Sequence, residues 1–128
     1  MNSALLNSFA FAEGNFFLSV FLFLFFAGSG ASIRWRLQNL HLWDSWVSTV
    51  FVNIFSSFFI GFLVATNPAS KVVTILGVGF LSSLSTFSTV VMQTAKTIEN
   101  RDHWLTVLIL GSNIILGVLF AYIGLRFG

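Results

Sequence analysis

The chain has 128 residues, 56% hydrophobic, 17% aromatic and only 8% charged, with a mean hydropathy of +0.92. Soluble domains carry roughly 25% charged residues, so a water-facing surface is excluded and the composition is that of an integral membrane protein. A net charge of +2 is too small and dispersed for nucleic-acid binding, and the absence of cysteine excludes disulfides, thiol nucleophiles and cysteine-metal sites.

The opening stretch "MNSALLNSFAFAEG" has no basic n-region. It does not resemble a cleaved signal peptide, and the first hydrophobic helix is expected to address the chain to the membrane. Without cysteine there is no palmitoyl or prenyl site.

The charges then divide the chain into four uncharged blocks, each long enough for a spanning helix of about 20 residues. The first is predicted from Asn15 to Ile33, ending at Arg34. The second runs from Trp46 to Thr66, and the third lies between Lys71 and Lys96. The fourth runs from Trp104 to Leu125. Asn67-Pro68 supplies a turn between the second and third. Trp35, Trp43, Trp46 and Trp104 fall near predicted ends, where an aromatic belt would place them. The expectation is one all-α membrane domain over residues 1–128, with four transmembrane helices and short connections.

Four spans put both termini on one side. Arg34, Arg36, Lys96 and Arg101 then face Lys71 and Arg126 across the membrane. The positive-inside rule makes the larger group cytoplasmic and the termini external, but the margin of two charges leaves dual insertion open. There is no convincing internal repeat, so a pseudo-symmetric transporter would need a second copy of the chain.

No predicted span contains Lys, Arg, Asp or Glu. A proton-coupled pump needs a membrane-embedded acid, and an enzyme needs an acid, base and nucleophile at one place. Both classes are disfavoured. His41 and His103 sit beside loops and suggest no metal site.

What the spans do carry is small and polar. Thr49, Asn53, Ser57 and Gly61 recur every four residues on the second span and share one helical face. Asn113, Gly117 and Ala121 repeat the pattern on the fourth. Such stripes serve as glue between helices in lipid. The amide donors of Asn53 and Asn113 could equally face an anion.

In the third span Gly77 and Gly79 precede "FLSSLSTFST", residues Phe80 to Thr89, with six hydroxyl side chains in ten residues. Helix propensity is poor here, and Ser and Thr can bond locally to the backbone. The expectation is a broken third helix, which is tolerated at membrane depth only inside protein or along a wet cavity. Freed carbonyls hold cations, and freed N–H groups hold anions. Phe87 lies within the run. Its ring edge could meet a small anion, or the ring could simply pack.

Three segments in order, "GSGASIRW", "TVFVNIFSSFFIG" and "GFLSSLSTFST", together resemble the Fluc/CrcB family of fluoride channels. The family patterns are roughly GGxxGAxxRY, TLxVNxxGxFxxG and GFCGxxTTFSTF. The resemblance implies an antiparallel dimer with two pores, a structural sodium ion at its centre and passive fluoride export across the bacterial inner (plasma) membrane. By the same resemblance Asn53, Thr49 and Phe87 belong to the fluoride pore, with Ser88, Thr89 and Asn113 beside them. Ser82 and Ser85 fall where backbone carbonyls hold sodium, and Arg34 is the structural arginine ending the first helix. Val90 and Val91 stand where the family has Phe and usually Ser, Gln93 where it often has Glu, and Asn113 where a serine is usual. These departures, with the charge bias of four against two, raise the expectation that the oppositely oriented partner in the lipid is a non-identical family member, with a second copy of the chain as the alternative. The rival readings are a small multidrug exporter, which would need a membrane-embedded carboxylate, and a non-conducting assembly subunit.

Overall fold

A computed structural model describes residues 3, 4, 7, 15–40, 44–66 and 68–128. Trp43, His41 and Asn67 of the expected belt, loop and turn lie outside the described residues. Helix α1 spans Phe16–Gln38 and α2 spans Ser45–Ala65. Helix α3 covers residues 70–84, α4 spans Phe87–Glu99 and α5 spans His103–Phe127. Residues Val73–Glu99, across α3 and α4, form the third of four segments long and apolar enough to cross a membrane. The fold is all-helical among the described residues, and the protein is a multi-pass membrane protein.

The second and fourth helices begin and end within two residues of their expected bounds. The first is a turn longer than predicted. Arg34 and Arg36 lie inside α1, which closes only at Asn39, whose N–H bonds the carbonyl of Trp35. Arginine is a good helix former, so the charge marks a polar turn and not a helix end.

Helix α3 is irregular ahead of the hydroxyl run as well as within it. Residues Val73–Leu81, which include both glycines, stay helical but are wound with i→i+5 bonding. The N–H of Ser82 accordingly reaches the carbonyl of Gly77. Such π-type turns are rare and cluster at functional sites. The glycines act in packing: a Cβ on Gly79 would lie 3.3 Å from the Phe23 ring. Backbone dihedrals leave the helical region later, at Ser85 (φ −74°, ψ 161°) and Thr86 (φ −153°, ψ 120°).

Helix α2 and the α3–α4 segment are central, whereas α1 and α5 show most of their apolar side chains outwards. Val72 and Ile75 form a buried cluster with Leu22, Phe23, Phe26 and Leu63 around it. The closest helix pair is α2 with α5, which run parallel. Their small-residue stripes meet in register: Asn53 opposite Asn113, Ser57 opposite Gly117, Gly61 opposite Ala121. A Cβ on Gly61 would strike the carbonyl of Ala121, and one on Gly124 the carbonyl of Phe58. Small residues let the two backbones touch, which is how helices associate where lipid removes the hydrophobic drive. Trp35 and Trp104 are exposed near helix ends, as an aromatic belt requires.

Candidate functional site

The site is built around the two extended residues between α3 and α4. In an uninterrupted helix the N–H of Thr86 would bond the carbonyl of Ser82, and that of Thr89 the carbonyl of Ser85. Here side chains intercept both donors. The N–H of Thr86 donates to Asn53 Oδ1 at 2.8 Å. The N–H of Thr89 donates to Thr86 Oγ1 at 3.2 Å, which makes Thr86 the N-cap of α4.

Asn53 reaches the interruption from the middle of α2. Its Nδ2 donates to the carbonyl of Thr86 at 3.2 Å and to Asn113 Oδ1 at 2.7 Å. The amide therefore pairs with both backbone groups of one residue, as a neighbouring strand would. This fixes which end of the amide is oxygen, since the reverse orientation would oppose donor to donor and acceptor to acceptor. Asn113 is held in turn by its own helix, with Nδ2 donating to the carbonyl of Ile109 at 2.8 Å.

The carbonyls of Ser82 and Ser85, released in this way, are met by side-chain donors. Ser85 Oγ donates to the carbonyl of Ser82 at 3.2 Å. Arg34 Nη1 donates to the carbonyl of Ser85 at 3.3 Å. Arg34 is half-buried, so this end-of-span arginine is tied to the interruption and does not stand free in the headgroup region.

An open groove of about 250 Å³ lies beside the interruption, lined by residues that include Asn53, Ser57, Thr86, Phe87 and Asn113. Phe87, the first residue of α4, is 78% exposed. Val90 also lines the groove yet is itself buried, and Val91 is exposed.

Of the residues singled out from sequence, Asn53, Phe87 and Asn113 meet at this groove, and Ser85 borders it. Thr49 sits one turn away and is fully buried. Its hydroxyl donates to the carbonyl of Ser45 at 3.0 Å and accepts from Gln93 Nε2 at 3.1 Å and Gln38 Nε2 at 3.4 Å. It knits the end of α1 and the start of α2 to the middle of α4. Ser88 and Thr89 are outside the groove lining. Their hydroxyls surround Thr86 Oγ1, at 3.2 Å and 3.0 Å.

Thr86, the hub of this network, went unremarked as a separate residue within the hydroxyl run. The available signal was a Thr immediately ahead of an apolar helical segment, the common mark of an N-cap.

Among the described residues no three His, Cys, Asp or Glu side chains are grouped to hold a metal. Any cation here would have to take neutral oxygen, from backbone carbonyls, hydroxyls or amides. The Ser82 and Ser85 carbonyls are neutral oxygens relieved of their helical partners, each met by one side-chain donor and each with a second lone pair.

Residues 21–125 match the family model described as CrcB-like protein, Camphor Resistance (CrcB). The chain is 32% identical over 101 residues to the fluoride-specific ion channel FluC 1 of Ligilactobacillus salivarius, covering 77% of this chain and 89% of that protein. It is 29% identical over 109 residues to fluoride-specific ion channel FluC 1 of Listeria monocytogenes, covering 81% and 92%. It is 27% identical over 82 residues to fluoride-specific ion channel FluC 2 of Bacillus thuringiensis subsp. konkukian, covering 64% and 70%. No solved structure matches significantly. With the family match running from within α1 to within α5, across the whole interrupted segment and its asparagines, the chain belongs to the Fluc/CrcB family.

Proposed function

We propose that this protein is a subunit of a fluoride channel and that the groove beside Thr86 is part of its ion path. The observation that carries the reading is the convergence of Asn53, Asn113 and Phe87 at a backbone interruption, on helices otherwise packed through apolar and small residues. Irregular backbone at membrane depth belongs beside a wet cavity or inside protein. A small anion leaving water must find hydrogen-bond donors or positive ring edges, and the lining of this groove offers both. Curated relatives named as fluoride-specific channels support fluoride as that anion. Transport would be passive, since the one acid within the spanning segments, Glu99, is the exposed last residue of α4 and does not line the groove. The site holds no set of groups for covalent chemistry, and a channel needs none.

The two-residue interruption is read as the family's helix break, and the working assembly as an antiparallel dimer in the bacterial inner membrane. Sodium would be held by the carbonyls of Ser82 and Ser85, with equivalent oxygens from a partner, fixing the break as a structural ion. Anything that binds only the assembled state stabilises it. Exchanging sodium for N-methylglucamine during purification is therefore expected to lower both the thermal midpoint and fluoride efflux. Unchanged values in both would remove the ion from the scheme.

The partner is a second copy or a non-identical family member. Val90 and Val91 favour the latter, because methyl groups lack the aromatic quadrupole and self-pairing would carry the gap into both pores. The decisive experiment is fluoride efflux from proteoliposomes, with the chain purified alone and after co-expression with a second family member. Fluoride release is expected in at least one preparation. Release from the chain alone identifies a homodimer, and release only on co-expression identifies a mixed one. Silence in both would leave the asparagines as packing glue and make this a non-conducting subunit.

A further inference from the structure

The donors around the groove can be counted hydrogen by hydrogen, and the count moves the anion's ligands away from Asn53. Both hydrogens of the Asn53 amide are engaged, one by the carbonyl of Thr86 and one by Asn113 Oδ1. The Thr86 N–H is taken by Asn53 Oδ1, and the Thr86 hydroxyl is within a cluster with Ser88 and Thr89. Ser85 Oγ donates to the carbonyl of Ser82. Asn113 engages one amide hydrogen with the carbonyl of Ile109, which leaves its second hydrogen over. Ser57 Oγ also lines the groove, without a hydrogen bond to any described residue.

Ser57 stands one helical turn beyond Asn53 on the same face of α2. The residue across from it on α5 is Gly117, where even an alanine Cβ would lie 3.6 Å from Ser57 Oγ. The glycine keeps that hydroxyl uncovered. We propose that the groove meets its anion with the Ser57 hydroxyl and the remaining Asn113 N–H, beside the Phe87 ring, while Asn53 serves the backbone by holding the interruption at Thr86. This inference rests on the channel reading above and assigns the ligands within it. Its physical basis is that an amide N–H already committed to a half-buried acceptor, with nitrogen and oxygen 2.7 Å apart, is a poor ligand. Engaging it elsewhere strands that acceptor, whereas a free hydroxyl reorients without loss.

The test uses efflux from the assembly that conducts, alone or co-expressed, with Ser57→Ala, Ser57→Thr and Gly117→Val. Ser57→Ala is expected to lower fluoride efflux by about tenfold, the scale of a lost hydrogen bond to a charged group. Its oligomeric state and unfolding midpoint should match the parent protein. Ser57→Thr keeps the hydroxyl and should retain efflux. Gly117→Val should reproduce the loss by covering Ser57. Parental efflux in both Ser57→Ala and Gly117→Val would overturn the assignment while leaving the channel reading intact. A parent protein that moves no fluoride in either preparation overturns both.

Discussion

Asn53→Asp is expected to abolish most fluoride efflux while leaving the four spanning segments inserted. The substitution changes one NH₂ to oxygen and hardly changes shape, so its effect is electronic. Asp can still accept from the N–H of Thr86, which Asn53 Oδ1 holds at 2.8 Å. Ionised, it cannot donate to the carbonyl of Thr86 or to Asn113 Oδ1, and its oxygen would face two acceptors at 3.2 Å and 2.7 Å; protonated, it has one donor for the two. A buried polar group left without its partner costs about 1–3 kcal/mol. A carboxylate would add repulsion against any anion in the groove, amplified by the low dielectric. We expect efflux at least about tenfold lower, since 1.4 kcal/mol alone corresponds to that factor at the transport barrier. Efflux measured on protein shown to be correctly assembled is the check. Parental rates would mean that Asn53 merely packs α2 against its neighbours.

The second large effect is expected at the α2–α5 contact. Gly124→Ala places a Cβ against the carbonyl oxygen of Phe58 and 2.9 Å from the amide nitrogen of Phe62. Both obstacles are backbone, so no side chain can swing away and the helices must separate. Overpacking of this kind costs about 1–3 kcal/mol. Because the two helices are parallel and in register, the separation would also draw Asn113 from Asn53 and loosen the support of Thr86. Stability and efflux should therefore fall together. Gly111→Ala is the internal control on the same helix. Nothing lies within 4 Å of a Cβ at that position, and replacing a mid-helix glycine there should stabilise by about 0.5–1 kcal/mol. Unfolding midpoints in mixed micelles decide the matter: equal values for the two variants would show that close approach at Gly124 is not what holds α5 in place.

Hydropathy alone determined a great deal. A span is a local property, because any 20-residue apolar stretch without charge lowers its free energy by crossing lipid, whatever surrounds it. The four blocks and the membrane class are therefore legible residue by residue. So are the stripes Asn53-Ser57-Gly61 and Asn113-Gly117-Ala121, since helical period is local too. Helix ends were less legible at Arg34, where the polar turn remained helical.

Docking decided the rest. Whether the donors of Asn53 face an ion or the chain's own backbone depends on groups 33 and 60 positions away, and no pattern within one helix contains that information. Thr49 and Asn53 belong to the same stripe, yet Thr49 is sealed among Gln38, Gln93 and Ser45 while Asn53 borders the groove. Arg34 looked like a boundary charge and instead holds the carbonyl of Ser85. The hydroxyl run Phe80 to Thr89 pointed to a departure from helix somewhere within ten residues, but not to Ser85 and Thr86 in particular, while the glycines ahead of it stay wound. A backbone leaves the helix only where other groups satisfy its N–H and carbonyl, and those groups, Asn53 foremost, come into reach only when α2 packs against the third segment.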